Sequence, residues 1–367
     1  MKILLCTNVF EVVENGPVKF ANLLLSINEQ YPQHEVRILT EDVTAPRRYV
    51  HKVSLPEWLR ASPVSQFVRM GVYHREARQV RREFPFDVLV YNNALVGLWS
   101  AIRLPYCVGM INDYKNIDRK KDPYQRGVRS FKESVFRWVE REAVRRYARI
   151  IVNSDYLRGL IQEHYPWSEG KIYRLYKGVS IPQNPVPFSP VLTKPVKVLF
   201  VKTDYELGGL PVLIQAIGWL PVQVELCVIG PAEGHRQHIG DMCRSVPNLS
   251  LRYLGNQPQE AVINELRRSD LFCVPSYKEA LGVANLEAMA HGIPVVSTTA
   301  GGIPEVLDHG YCGWMVAPGD PQALAQALEE CITRPELRSL KRENALQHVQ
   351  KFDIPTMFDN FLEILAL

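Results

Sequence analysis

Short runs of β-branched and aliphatic residues recur along the chain, separated by stretches whose apolar positions return every three or four residues. In the first half the runs are "KILLCTN", "HEVRILT", "FDVLVYN", "PYCVGMI", "ARIIVNS" and "KIYRLY". In the second they are "VKVLFV", "VQVELCVIG", "LSLRYLG", "DLFCVPS", "IPVVSTT" and "GWMVAP". Strands alternating with helical segments predict α/β architecture, with parallel sheets carrying helices on their faces. Between the halves, "SIPQNPVPFSPVLTKP" holds five prolines and no amphipathic period. Proline there resists both helix and central strand, so a linker is expected near residues 181–195. The pattern thus predicts two doubly wound domains facing across a cleft, over residues 1–183 and 184–352. The closing "FDIPTMFDNFLEILAL" reads as an apolar helix over about 353–367 that packs back on the first domain.

Length agrees, since 367 residues suffice for two domains with separate cores. No run approaches the ~18 apolar residues of a membrane-spanning helix. "MKILLCTNVFEVVE" reads as a first strand and not a secretion signal. Seven cysteines in apolar contexts read as reduced and buried, which points to the cytoplasm and away from a disulfide framework or zinc site. His235 and His238 in "GHRQHIG" lack a third ligand and read as surface residues. The net charge of +4 conceals an asymmetry. Residues 1–183 hold 29 Lys and Arg against 19 Asp and Glu; the remainder holds 14 against 20. Arg137, Arg141, Arg145 and Arg149 repeat at helical spacing, with Phe136, Val139, Ala143, Tyr147 and Ile150 as the inward stripe. "RKKDPYQR" adds cations, and "PEWLRASPVSQFVRMGVYHREARQVRR" mixes Trp58, Phe67, Met70 and Tyr73 with Arg75, Arg78, Arg81 and Arg82. Such a basic, aromatic half suits an anionic membrane or lipid-linked acceptor, while a solvated face remains open. No recognition motif supports nucleic acid.

Candidate chemistry concentrates in "KEALGVANLEAMAHGIPVV". "DLFCVPS" predicts a buried strand and "NLEAMAHG" a helix ending at Gly292, with Pro294 blocking continuation. Gly282 in the turn lets backbone amides at the helix start approach an anion such as a diphosphate. Glu279 precedes the turn and Glu287 lies one to two turns into the helix. Two acceptor-only carboxylates flanking an anion site suit hydroxyl pairs on two rings joined by a diphosphate, as in a nucleoside-diphosphate sugar. On spacing alone, a solvated Glu279 and a dipole-complementing Glu287 remain equally open. Neither G-x-G-x-x-G nor G-x-x-x-x-G-K-[ST] is present, which disfavours a dehydrogenase or P-loop NTPase.

The stretch "PSYKEALGVANLEAMAHGIPVVSTTAGGIPEVLDHGYCGWMVAPGD" resembles the C-terminal signature of family 4 retaining glycosyltransferases of the GT-B fold. Its two glutamates eight apart, A-x-A-x-G-x-P-V, G-G-I-x-E and G-W-M-V-x-P-G-D carry the resemblance; "YKGVS" and "YLGN" extend it weakly. The resemblance implies that Glu279 binds the donor sugar's hydroxyls and acts at the reacting centre. It also implies that Glu287 binds ribose and that backbone at Leu281, Gly282 and Val283 cradles sugar and phosphate. No metal or other cofactor is expected. The implied activity moves a hexose-type sugar from a nucleotide donor such as a UDP-sugar to a saccharide or lipid-linked acceptor. Cell-surface polysaccharide or glycolipid synthesis would follow, in the cytoplasm or peripherally on the inner face of the membrane.

Two departures stand out. The family supplies an arginine and a lysine after the first strand of the second domain, where this chain has Thr203 and Gly208 ahead of Gly209. Lys202 or Lys278 could substitute. In the first domain, Asn112 falls where the family carries a histidine, followed by Asp113; asparagine can bond a sugar hydroxyl but cannot relay a proton. Asn112 and Asp113 are therefore candidates for orienting the acceptor, with Asp113 alternatively a turn residue. Asn15–Gly16–Pro17 reads as a helix start suited to phosphate, or simply as good helix-start chemistry. A nucleotide-sugar epimerase of the same architecture and a non-catalytic nucleotide-sugar binder are the other readings.

Overall fold

The computed structural model describes residues 1–11, 16–55, 65–113 and 131–367. It divides into unit 1, Met1–Lys177 with Met357–Leu367, and unit 2, Gly178–Thr356. Unit 1 is built on seven parallel strands: β1 (Lys2–Thr7), β2 (Glu35–Thr40), β3 (Val50–Lys52), β4 (Val88–Tyr91), β5 (Cys107–Ile111), β6 (Arg149–Val152) and β7 (Ile172–Arg174). They lie in the order β3-β2-β1-β4-β5-β6-β7. Central strands are buried on both faces: Ile3, Leu4, Leu5, Leu89 and Val90 are fully enclosed, which is why they read as continuous apolar runs. The pattern missed β3, a three-residue edge strand whose "VHK" has no apolar face to signal it.

Helices α1 (Gly16–Gln30), α2 (Ser65–Glu83), α3 (Leu98–Arg103), α4 (Phe131–Arg146) and α5 (Asp155–His164) connect these strands. Ser154 caps α5, its hydroxyl accepting from the Leu157 amide at 3.1 Å. The expected row of four arginines at helical spacing is cut short. Helix α4 ends at Arg146, and Arg149 opens β6, donating to the Leu365 carbonyl at 2.9 Å. Met70 and Tyr73, read as part of an aromatic-basic surface, are core residues at 2% and 0% exposure. Their helical phase turns them onto the sheet. Asn15, Trp58 and "RKKDPYQR" lie outside the described residues.

Unit 2 carries β8 (Val196–Val201), α6 (Leu210–Ile217), β9 (Val224–Ile229), α7 (Arg236–Arg244), β10 (Leu249–Gly255), α8 (Gln259–Arg268), β11 (Leu271–Cys273), α9 (Val283–Ala290), β12 (Val295–Thr298), α10 (Ile303–Val306) and β13 (Trp314–Val316). Helices α11 (Pro321–Thr333) and α12 (Pro335–His348) follow. The parallel strand order β10-β9-β8-β11-β12-β13 reverses direction between β8 and β11, the crevice where such sheets bind ligands.

The proline-rich stretch is not a free linker. The Val179 amide donates to the Phe352 carbonyl, the Val186 amide to that of His291, and buried Arg338 to those of Ser189 and Pro190. These bonds sew residues 178–195 onto unit 2, so the division falls at Lys177, upstream of the prolines. The chain returns through α13 (Ile354–Ala366), whose Phe361 meets Phe20 of α1 edge-on at 5.7 Å within unit 1. All seven cysteines are buried and free, and burial pushes their thiols up.

Candidate functional site

In unit 2 the two strands flanking the reversal deliver the key residues. Strand β8 ends at Val201, placing Lys202 at its carboxyl end; β11 ends at Cys273, and six residues later comes Glu279. Lys202 Nζ and Glu279 Oε2 form a direct ion pair, each side chain about a quarter exposed. The other carboxylate oxygen, Oε1, accepts from the Ala280 amide at 3.2 Å.

Backbone packing fixes this pair. Gly230 at the end of β9 has φ +114°, and a Cβ there would lie 2.6 Å from the Lys202 carbonyl. Gly301 has φ +57°, and its Cβ would lie 1.6 Å from the Glu279 carbonyl oxygen, so only glycine lets the two loops touch. From β12, the Ser297 and Thr298 hydroxyls donate to the carbonyls of Val274 and Ser276 at 2.8 and 2.7 Å. These buried hydroxyls hold down the segment that leads to Glu279.

Two eight-residue helices begin at left-handed glycines beside this pair, α6 after Gly209 (φ +75°) and α9 after Gly282 (φ +97°). Gly209 abuts the Pro275 carbonyl, where any Cβ would be 2.2 Å away. Buried Leu281, with Val283 as the first residue of α9, completes the turn. Glu287 stands on α9 and accepts from Gln259 Nε2 of α8 at 3.0 Å. Lys278 is half-buried on the segment that carries Glu279. Thr203 is exposed, and a side chain at Gly208 would meet Lys202 Cγ at 2.9 Å. With Phe200 Cζ 2.7 Å from the same point, Phe200 and Lys202 together occupy the space that a residue larger than glycine at 208 would need.

In unit 1, Asn112 follows β5, and its Nδ2 donates to the Asn92 carbonyl and Oδ1 at 2.8 and 3.2 Å. Asn92 Nδ2 reaches Thr7 Oγ1 at 3.4 Å, and Asn153 Nδ2 the Asn112 carbonyl at 3.3 Å. The carboxyl ends of β1, β4, β5 and β6 are thus joined by one line of small polar side chains. Asn153 Oδ1, buried, has no hydrogen-bond partner among the described residues. Asp113 is exposed at the same edge. Gly16 opens α1, and Lys19 and Asn22 further along that helix line a recess of about 490 Å³ with Phe10, Glu11 and Arg47 among others.

Gly301 belongs to the G-G-I-x-E match, whereas Gln259, Ser297, Thr298, Thr7, Asn92 and Asn153 are not singled out by the sequence. For Thr7, Asn92, Asn153, Ser297 and Thr298 the one sequence signal is a small polar residue closing an apolar run, as in "VVST", "VYNN" and "IIVNS"; Gln259 has none. His235 and His238 are exposed, with Tyr205 5.1 and 6.4 Å from their rings. Among the described residues, Asp308, Cys312 and His348 bring three potential metal ligands within 4.8 Å of one another. Lys351 Nζ lies 3.5 Å from His348 Nδ1, a cation already at that corner.

Two parallel, doubly wound sheets with an acidic and glycine-rich edge on the second define a GT-B type protein. Alr3699/HepE from Anabaena, solved with UDP and glucose, shares this fold at TM-score 0.71 and 19% identity, covering 100% of this chain and 99% of that one. The family model "Glycosyl transferases group 1" matches residues 186–348, and "Glycosyltransferase Family 4" matches residues 29–182. The chain belongs to family 4 of the glycosyltransferases. A D-inositol 3-phosphate glycosyltransferase of Corynebacterium jeikeium is 39% identical over 102 residues, 28% of this chain and 24% of that enzyme. The amylovoran biosynthesis glycosyltransferase AmsK of Erwinia amylovora is 36% identical over 146 residues, 37% of this chain and 36% of that protein. The chain thus spans well under two thirds of these curated relatives.

Proposed function

We propose that this chain is a retaining transferase that moves a hexose-type sugar from a nucleoside-diphosphate sugar to a hydroxyl of a saccharide or lipid-linked acceptor. Synthesis of a cell-surface polysaccharide or glycolipid is the proposed setting. The observation that carries the reading is the Lys202–Glu279 pair at the strand-order reversal of unit 2, beside two glycine-initiated helices, the second of which carries Glu287. The HepE complex with UDP and glucose supports a uridine nucleotide donor, and the relationship to AmsK supports a polysaccharide product.

In this reading Glu287 takes the ribose diol and Glu279 the sugar hydroxyls. The diphosphate lies over the amides of Leu281, Gly282 and Val283, where the dipole of α9 favours negative charge. Lys202 then leaves Glu279 and neutralises the leaving phosphate, standing in for the cations that Thr203 and Gly208 do not provide. Lys278 and the amides beyond Gly209 add to that field. Asn112 and Asp113 orient the acceptor, and the start of α1 at Gly16 adds backbone donors. The acceptor oxygen bonds to the anomeric carbon on the face from which the phosphate departs. The phosphate oxygen that leaves takes the acceptor's proton, so no protein base is needed and configuration is retained. The chain's part is positioning and charge stabilisation.

Incubation with a panel of nucleotide sugars and saccharide acceptors tests this reading. Nucleotide release with a glycosyl product of unchanged anomeric configuration is expected. Interconversion of the free nucleotide sugar would instead indicate an epimerase, and binding without turnover a non-catalytic binder. Glu279→Ala is expected to abolish turnover, and Glu287→Ala to weaken donor binding with less effect on turnover; wild-type rates in both would remove the site assignment.

A further inference from the structure

Three tryptophans of unit 1 face solvent: Trp99 at 45%, Trp138 at 60% and Trp167 at 47% exposure. Exposed apolar residues scattered singly carry no message, but a group of them joined across neighbouring elements marks an interaction surface. The three are linked across neighbouring elements. Trp99 of α3 lies over Gly71 of α2, 3.1 Å from where a Cβ would stand. Phe67 of α2 stacks with Phe136 of α4 at 6.3 Å, and Arg141 of α4 covers the ring of Trp167 at 5.3 Å. Ile102, next to Trp99 on the same helix, is 49% exposed.

The cations follow the same helical phase. On α4 the exposed stripe runs Ser134, Trp138, Arg141, Arg145; on α2 it runs Phe67, Arg75, Arg78, Arg82. On α3, Arg103 sits 5.8 Å over Trp99. The acids of these segments are mostly spent or withdrawn: Glu76 pairs with Arg75, Glu142 lies near Arg145 and Arg146, and Glu140 is buried. Among the described side chains, Glu83 in the last turn of α2 and Glu169, two residues after Trp167, stay exposed, fewer than the arginines of the same segments. Arginine beside tryptophan meets the two demands of a lipid headgroup layer: a cation for phosphate and an amphipathic ring for the polar–apolar boundary. Among the described residues no helix is long and apolar enough to cross a membrane, so the contact is superficial.

We propose that the exposed face of α2, α3 and α4, with Trp167 at its edge, docks on an anionic phospholipid bilayer with Trp99, Trp138 and Trp167 set among the headgroups. The proposal stands whether or not the donor assignment holds. Unit 2 supplies its own control in Trp219, 54% exposed and on no such arginine stripe.

The full chain should co-sediment with vesicles of phosphatidylcholine and phosphatidylglycerol but not with phosphatidylcholine alone. Raising salt to about 1 M, where the Debye length falls to ~3 Å, should release most of it. Replacing Arg103, Arg141 or Arg145 by Gln should lower partitioning roughly fivefold each. The triple variant W99A/W138A/W167A should lose binding, while Trp219→Ala keeps it. Lipids brominated near the headgroup should quench wild-type fluorescence, and quench it less in each single variant of the three. Circular dichroism and donor affinity of each variant report folding separately. Absence of anionic binding, equal binding by the triple variant, or quenching that survives in it would overturn the proposal. So would a dimer in sedimentation velocity that Trp138→Ala dissolves, since the face would then join copies of this chain.

Discussion

Glu279 holds a lysine and a backbone amide at once, one on each carboxylate oxygen. Its position depends on residues that carry no charge, above all Gly301, whose missing Cβ leaves room for the Glu279 carbonyl. Gly301→Ala must move one loop or the other and also places alanine at φ +57°, a cost of about 1–2 kcal/mol before the clash is counted. Loss of most transferase activity is expected, with a lowered unfolding midpoint; unchanged kinetics would show that the loop contact does not set the carboxylate. Lys202→Ala is expected to reduce turnover by one to two orders of magnitude, the loss of a charge-assisted bond worth about 1.5–3 kcal/mol. A variant as active as wild type would remove Lys202 from the proposed phosphate contact. Elsewhere, Lys177 is buried, with Nζ 4.1 Å from the Phe20 ring centroid and no hydrogen-bond partner among the described residues. Burial pulls its pKa from 10.5 to about 7. The unfolded chain then binds a proton that the folded chain lacks between these values, so stability rises with pH across that window. Lys177→Met should therefore stabilise the protein most below pH 7 and progressively less toward pH 10. Urea midpoints giving the same gain at both ends would contradict the buried charge.

At the level of elements, the parallel strand order explains why residues distant in sequence converge. Because β8 and β11 are neighbours, residues 77 positions apart form one ion pair. The motif from Glu279 to Glu287 was legible because its chemistry is local: a glycine turn, a helix start and two acids at fixed spacing. The partners of that motif were not, since Gln259, Ser297 and Thr298 look like ordinary polar residues until the sheet order brings them in. The same limit explains the arginine row. Periodicity carried it through Arg149, but the helix stops at Arg146 and the chain turns into β6, whose pairing with β5 and β7 outweighs the local pattern.

At the scale of the whole molecule, the chain leaves unit 1 after Lys177 and re-enters it at Met357. Helix α13 buries Met357, Phe358, Phe361, Ile364 and Leu365, all within about a tenth of full exposure. Phe361→Ala should destabilise unit 1 by about 3–5 kcal/mol, the usual cost of emptying a phenylalanine site. Hydrogen exchange is expected to accelerate across β1, α1 and α13 while protection in β8–β12 persists; uniform acceleration would show that the units unfold as one. The charge division matches the chain's path: the basic excess lies in the unit that presents the tryptophans, and the acidic excess in the unit that holds Glu279 and Glu287.

By itself the amino-acid order determined the two α/β halves, the apolar strands and the acidic glycine-bounded motif, because each rests on residues within a few positions of one another. Tertiary structure alone decided that Lys202 meets Glu279, that Gln259 holds Glu287, that the prolines belong to unit 2, and that Met70 and Tyr73 turn inward while Trp99, Trp138 and Trp167 turn out. Those outcomes depend on strand neighbours and helix phase, which pair groups across dozens of residues and leave no local trace.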